Sequence, residues 1–175
     1  MSKTVYCIGK IHRNQKEYVI AENDITSVPA KRVNIVSLKM IKESSILYSG
    51  RKITTPSDAV EIAKVFLDGA DREQLIMCTL DTKNQPTSIS VVSIGSLNSS
   101  IVHPREVFKT AIMANASAII IFHNHPSGDN SPSNEDITTT KRLVDCAEMI
   151  GIKLLDHIII GDDDSYCSLK ERGII

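Results

Sequence analysis

Residues 117–125 read Ser-Ala-Ile-Ile-Ile-Phe-His-Asn-His, so a strand-forming run closes on two of the chain's five histidines at positions i and i+2. Such a pair shares one face of an extended backbone, whereas on a helix the two side chains would diverge by about 200°. A strand end is therefore where His123 and His125 can hold one metal ion, with Asn124 turned away from them in a structural role. Zinc in a catalytic site takes three protein ligands and leaves a position for water, so the pair calls for one carboxylate. Asp136 is the leading candidate. It follows His125 by eleven residues, and Pro126, Gly128 and Pro132 let the intervening loop turn back over the strand end. Asp129, in that loop, is a candidate hydrogen-bond partner for a ligand, although loop polarity explains it equally well.

The same stretch has a purely structural reading. Ser133-Asn134-Glu135-Asp136 has the form of a capping box, with Ser133 at the N-cap and an acidic side chain at N3, so both residues would do no more than start a helix. A histidine taken singly is also more often structural than a ligand. Two histidines, a strand end and a carboxylate in one passage make coincidence the weaker account.

Thr54-Thr55-Pro56-Ser57-Asp58 marks a boundary between a basic extension, residues 1–52, and a domain over residues 53–175. In the extension, Thr4–Ile8, Tyr18–Ala21 and Val33–Met40 are rich in β-branched residues and predict short strands. After the boundary, Ala59, Ile62, Ala63 and Phe66 recur at helical spacing and predict a helix over residues 57–67. Residues 74–80 and 87–94 are strand-like, and the turn formers between them predict an antiparallel hairpin. A loop over residues 95–103 leads to Pro104, which suits the first turn of a helix burying Val107, Phe108, Ala111 and Ile112. The histidine-tipped strand comes next. A helix from Ser133 places Ile137, Thr140, Val144, Ala147 and Ile150 on one side and ends by Gly151, before a strand over residues 152–161. This order predicts an α/β fold, a mixed β-sheet flanked by helices. Asp162-Asp163-Asp164 reads as a solvated turn, because it lacks the spaced ligands of a calcium loop.

His-x-His, seven residues, then Ser-x-x-Asp resembles the JAMM motif of the JAB/MPN metalloprotease family, and His123, His125, Ser133 and Asp136 match it residue for residue. Residues 99–107, 123–129 and 155–158 resemble its RadC-like branch more narrowly, and the resemblance covers residues 53–175. It implies an MPN (JAB, cytidine-deaminase-like) architecture with one Zn2+ per chain on His123, His125 and Asp136. The implied reaction is hydrolysis of an amide bond, peptide or isopeptide, in a peptide or protein substrate. Glu73 occupies the place of the family's upstream glutamate, which polarises the attacking water. Glu106 is its competitor, but an acidic residue at a helix start is also explained by the helix dipole. Ser133 would help bind the oxyanion formed on the attacked carbonyl.

Charge leaves a second function open. Residues 1–52 carry ten Lys/Arg against four Asp/Glu, and the rest carry ten against seventeen. A basic extension suits nucleic acid, as in a DNA-associated repair or recombination accessory of the RadC type, but it suits as well the acidic remainder of the chain or of a second copy in a homo-oligomer. An MPN-like interaction module without activity is disfavoured because every matched ligand is present. A zinc nucleoside deaminase would need His-x-Glu and a later Pro-Cys-x-x-Cys, and neither occurs. Cys7, Cys78, Cys146 and Cys167 are scattered, which predicts reduced thiols. No apolar stretch reaches the roughly 18 residues of a membrane span, and the start lacks a signal-peptide pattern, so a cytoplasmic protein is expected.

Overall fold

The computed structural model describes residues 33–67, 69–95, 102–163 and 165–175. The strands expected at Thr4–Ile8 and Tyr18–Ala21, and residues 96–101 of the expected loop, lie outside them. The chain divides into two units. Of the first, Met1–Leu38, residues 33–38 are described and form no regular element. The strand expected over Val33–Met40 is thus not formed. β-branched residues favour a strand where a neighbour pairs with them, and no ladder among the described residues includes this segment.

The second unit, Lys39–Ile175, holds α1 (Pro56–Leu67), β1 (Gln74–Leu80), β2 (Pro86–Ile94), α2 (Pro104–Met113), β3 (Ala118–Asn124), α3 (Asn134–Ile150), β4 (Lys153–Ile160) and β5 (Tyr166–Ser168). The strands form one sheet in the order β2-β1-β3-β4-β5. Only β3 and β4 run parallel, and the expected hairpin pairs β1 with β2 antiparallel, so the sheet is mixed. The helices cover both of its faces.

β3 lies at the centre and is buried along its whole length, which is why its sequence is a continuous apolar run. Period-2 alternation sends Ala118, Ile120 and Phe122 into a core with Ala59, Ile62 and Ala63 of α1. Ile119 and Ile121 enter the opposite core with Val107, Phe108 and Ala111 of α2 and Leu143 and Ala147 of α3. Each such aliphatic side chain contributes about 1.5–3 kcal/mol of burial. His123 is the next residue on that second face. Its own sequence parity therefore delivers it to the side where α3 packs.

Local chemistry starts each helix. At α1, Asp58 Oδ2 accepts from Thr54 N and Thr55 N at 2.8 and 2.9 Å, while Asp58 N donates to Thr55 Oγ1. At α2, His103 is the N-cap and accepts from Arg105 N, with Pro104 opening the first turn. α3 ends at Gly151, whose φ of 78° is the left-handed cap expected there.

Two helix stripes differ from expectation. Val107, Phe108 and Ala111 of α2 are buried, but Ile112 is exposed, because the ten-residue helix presents only a narrow face to the sheet. On α3 the buried ridge is Asp136, Thr140, Leu143 and Ala147: Thr140 and Ala147 lie on the expected stripe, Asp136 and Leu143 replace the expected Ile137 and Val144, which are half-buried, and Ile150 is exposed. The inward face at the start of α3 is polar because it looks onto the histidines, so hydrophobicity alone passes over Asp136. Among the described residues no helix is long and apolar enough to cross a membrane.

Candidate metal centre

His123 occupies the last β1–β3 pair, opposite Leu75, and is fully buried. Past the end of β3, His125 N donates to Ile160 O at 3.1 Å, which prolongs the pairing with β4 by one step. The chain then turns tightly. Gly128 N donates to His125 O at 2.9 Å, and Gly128 itself has a φ of 79°, in the region that favours glycine. Asp162 N donates to Gly128 O at 3.1 Å, and a Cβ on Gly161 would overlap that same carbonyl oxygen. The loop bearing His125 is thus closed down on the loop after β4. Within it, His125 Nδ1 donates to the Asp129 backbone carbonyl at 2.6 Å.

The two imidazoles meet at 2.9 Å between their Nε2 atoms. Asp136 closes on them from the first turn of α3, with Oδ1 at 3.3 Å from His123 Nε2 and Oδ2 at 3.7 Å from His125 Nε2. The capping box is present as well. Ser133 N and Ser133 Oγ donate to Asp136 Oδ2 at 2.8 and 2.7 Å, and Asp136 N donates back to Ser133 Oγ at 3.1 Å. The structural and the ligand readings are therefore compatible: the cap takes Oδ2 and leaves Oδ1 turned to His123.

Glu73 completes the cluster, its carboxylate lying within 4.8 Å of the ligand atoms of His123 and His125. It immediately precedes β1, and Asn124 fixes it there. Asn124 Oδ1 accepts from Gln74 N at 2.8 Å and its Nδ2 donates to Arg72 O at 3.1 Å, so one amide grips the peptide groups on both sides of Glu73. Glu106 sits elsewhere, half-buried on α2 and paired with Lys109 at 2.6 Å and Arg105 at 3.2 Å.

Sequence reasoning gave His157 and Thr140 no part in the site, although Thr140 was on the expected inward stripe of α3 and His157 in one of the stretches that carry the resemblance. His157, on β4 beside Ile121, is buried, with its Nε2 at 2.7 Å from His123 Nδ1. Its other nitrogen meets Thr140 Oγ1 at 2.5 Å, and that hydroxyl donates to the Asp136 backbone carbonyl at 2.6 Å. A histidine inside the otherwise apolar run of residues 157–160 was the one signal available.

The charges agree with a cation site. Burial by itself would raise the Asp136 carboxyl, but the imidazoles of His123 and His125 against its oxygens and the Ser133 hydroxyl together hold it well below the usual carboxylate range. Its hydrogen bond with Asp136 in turn raises His125, against partial burial, which pulls the other way. Two imidazole nitrogens with nearby carboxylate oxygens from Glu73 and Asp136 make a donor set that a divalent cation such as zinc can use. The residues present fit the ion.

The family model described as RadC-like JAB domain matches residues 53–174. The chain is similar to a UPF0758 protein of Clostridium acetobutylicum, 50% identical over 149 residues that make up 83% of this chain and 65% of that protein. It is 53% identical over 123 residues to one of Desulfitobacterium hafniense, covering 70% and 54% of the two chains. A Methanosarcina mazei relative is 52% identical over 125 residues, covering 71% and 54%. The chain thus spans between about half and two thirds of the length of these relatives.

Proposed function

The chain belongs to the RadC-like JAB domain family, and from that membership and the site geometry we propose that it is a zinc-dependent hydrolase that cleaves an amide bond, peptide or isopeptide. The observation that carries this reading is the convergence of His123 Nε2, His125 Nε2 and the Asp136 carboxylate from a strand end, a loop and a helix start. Zinc bound there would act as a Lewis acid, lowering the pKa of a coordinated water to about 7 and polarising a carbonyl.

The chain's own residues supply the rest. His123, His125 and Asp136 are the ligands. Glu73, held by Asn124, takes the proton of the attacking water and passes it to the leaving nitrogen. Ser133 Oγ steadies Asp136 through Oδ2, and reaching an oxyanion requires its proton to swing away from that carboxylate.

Elemental analysis of the purified chain after exposure to zinc is the test. About one zinc per chain in the wild type, lost in His123→Ala and Asp136→Ala, is the expected result. Glu73→Gln then keeps the zinc and loses cleavage of amide substrates, a cleavage that a chelator abolishes in the wild type. A wild type that stays metal-free overturns the reading.

A further inference from the structure

His123 Nε2 can serve as a ligand only if its proton sits on Nδ1, and nothing in His123 itself decides that. The decision is made two residues away. Thr140 Oγ1 lies 2.6 Å from the Asp136 backbone carbonyl, which can only accept, so the single hydroxyl proton of Thr140 is spent there. Toward His157 Nδ1, at 2.5 Å, Thr140 Oγ1 can then only accept. His157 must carry its proton on Nδ1, which leaves a lone pair on Nε2. That lone pair faces His123 Nδ1 at 2.7 Å and requires a proton from it.

We infer that Thr140 and His157 form a positioning relay that locks His123 in the Nδ1-protonated tautomer and keeps its Nε2 lone pair turned to the metal position. The inference rests on the ligand assignment above, but it concerns the metal-free chain as much as the loaded one. The opposite network would put a proton on His123 Nε2. It fails because it needs a second proton from Thr140, which has only one.

Two further observations agree. His157 is fully buried, with Thr140 Oγ1 and His123 Nδ1 as the partners of its two ring nitrogens. The relay also ends on the backbone of Asp136, so the strand ligand and the helix ligand are fastened to each other behind the site. Metal-bound histidines usually pass their second N–H to a carboxylate, a carbonyl or water. Here a second neutral histidine takes that place, and His125 uses the Asp129 carbonyl instead.

Nitrogen-15 NMR of histidine-labelled, chelator-stripped protein reads the tautomers directly. Wild type is expected to show His123 and His157 both protonated at Nδ1. Thr140→Val removes the hydroxyl at nearly constant shape. His157 then moves its proton to Nε2, His123 carries its own on Nε2, and zinc affinity falls about 10–100-fold. Thr140→Ser restores both readouts. A wild-type His123 protonated at Nε2 overturns the inference, as does a Thr140→Val spectrum with the tautomers unchanged. The wild-type spectrum decides the matter even if Thr140→Val does not fold. Failure to bind zinc with the expected tautomers in place would instead count against the proposed hydrolase and leave the relay standing.

Discussion

Asp129 holds His125 through its backbone carbonyl, 2.6 Å from Nδ1, while its carboxylate accepts from Ser131 N at 2.9 Å. The contact that orients His125 therefore does not depend on the identity of the side chain at position 129. Asp129→Ala is expected to leave zinc affinity within about threefold of wild type, well short of the 10–100-fold that losing a ligand's orienting partner costs. A competition titration against a chromophoric chelator measures it, and a loss of tenfold or more would show that the carboxylate is needed.

Gly161 makes the opposite case. A Cβ there would overlap the Gly128 carbonyl oxygen and come within 2.7 Å of Ser165 Oγ, and backbone cannot give way as a flexible side chain can. Gly161→Ala is expected to cost about 1–3 kcal/mol of stability and to lower zinc affinity by tenfold or more, because it pushes away the loop that carries His125. Denaturant midpoints and the same titration check both effects.

Asn124→Ala removes one donor and one acceptor at once. Gln74 N–H and Arg72 C=O, both partly buried, lose their partner at a cost of about 1–3 kcal/mol. On the proposed function, zinc content is expected to stay near one per chain, since His123, His125 and Asp136 are untouched, while amide cleavage falls because Glu73 is no longer held. Asn124→Asp keeps the acceptor for Gln74 N but turns a carboxylate oxygen onto the Arg72 carbonyl, so it is expected to be no more stable than Asn124→Ala. Equal stability of Asn124→Ala and wild type would remove Asn124 from this role.

The pH dependence has opposite signs for folding and for metal binding. The hydrogen bond to Asp136 raises the folded-state pKa of His125 above its ordinary 6.5. In metal-free protein the resulting stabilisation is complete below that pH and is lost as pH rises through the raised value. Zinc must displace the same proton, so its affinity weakens as pH falls, by up to about tenfold per unit. Denaturation of chelator-treated protein and zinc titrations between about pH 5.5 and 8.5 measure the two trends, and His125→Ala is expected to flatten the first.

Much of the architecture was readable from spacing. The hairpin β1–β2, the central strand β3 and the starts of α2 and α3 follow from period-2 alternation, turn formers and caps, all of which act within a few residues. The i, i+2 placement of His123 and His125 on a strand end, and the capping box that carries Asp136, are local in the same sense. The burial of Asp136 was not local. Asp136 is buried because it meets His123 and His125, and a hydrophobicity pattern counts an aspartate as surface.

By itself the sequence determined which residues are chemically able to hold a metal and the order of elements that carries them. The tertiary structure alone decided that Glu73 rather than Glu106 stands at the histidines, that Asn124 grips its backbone, and that His157 and Thr140 orient His123. Those contacts join residues 17 to 52 positions apart. Whether such residues meet is set by strand register and by which face of the sheet each helix covers, quantities that belong to the assembled fold and to no single segment.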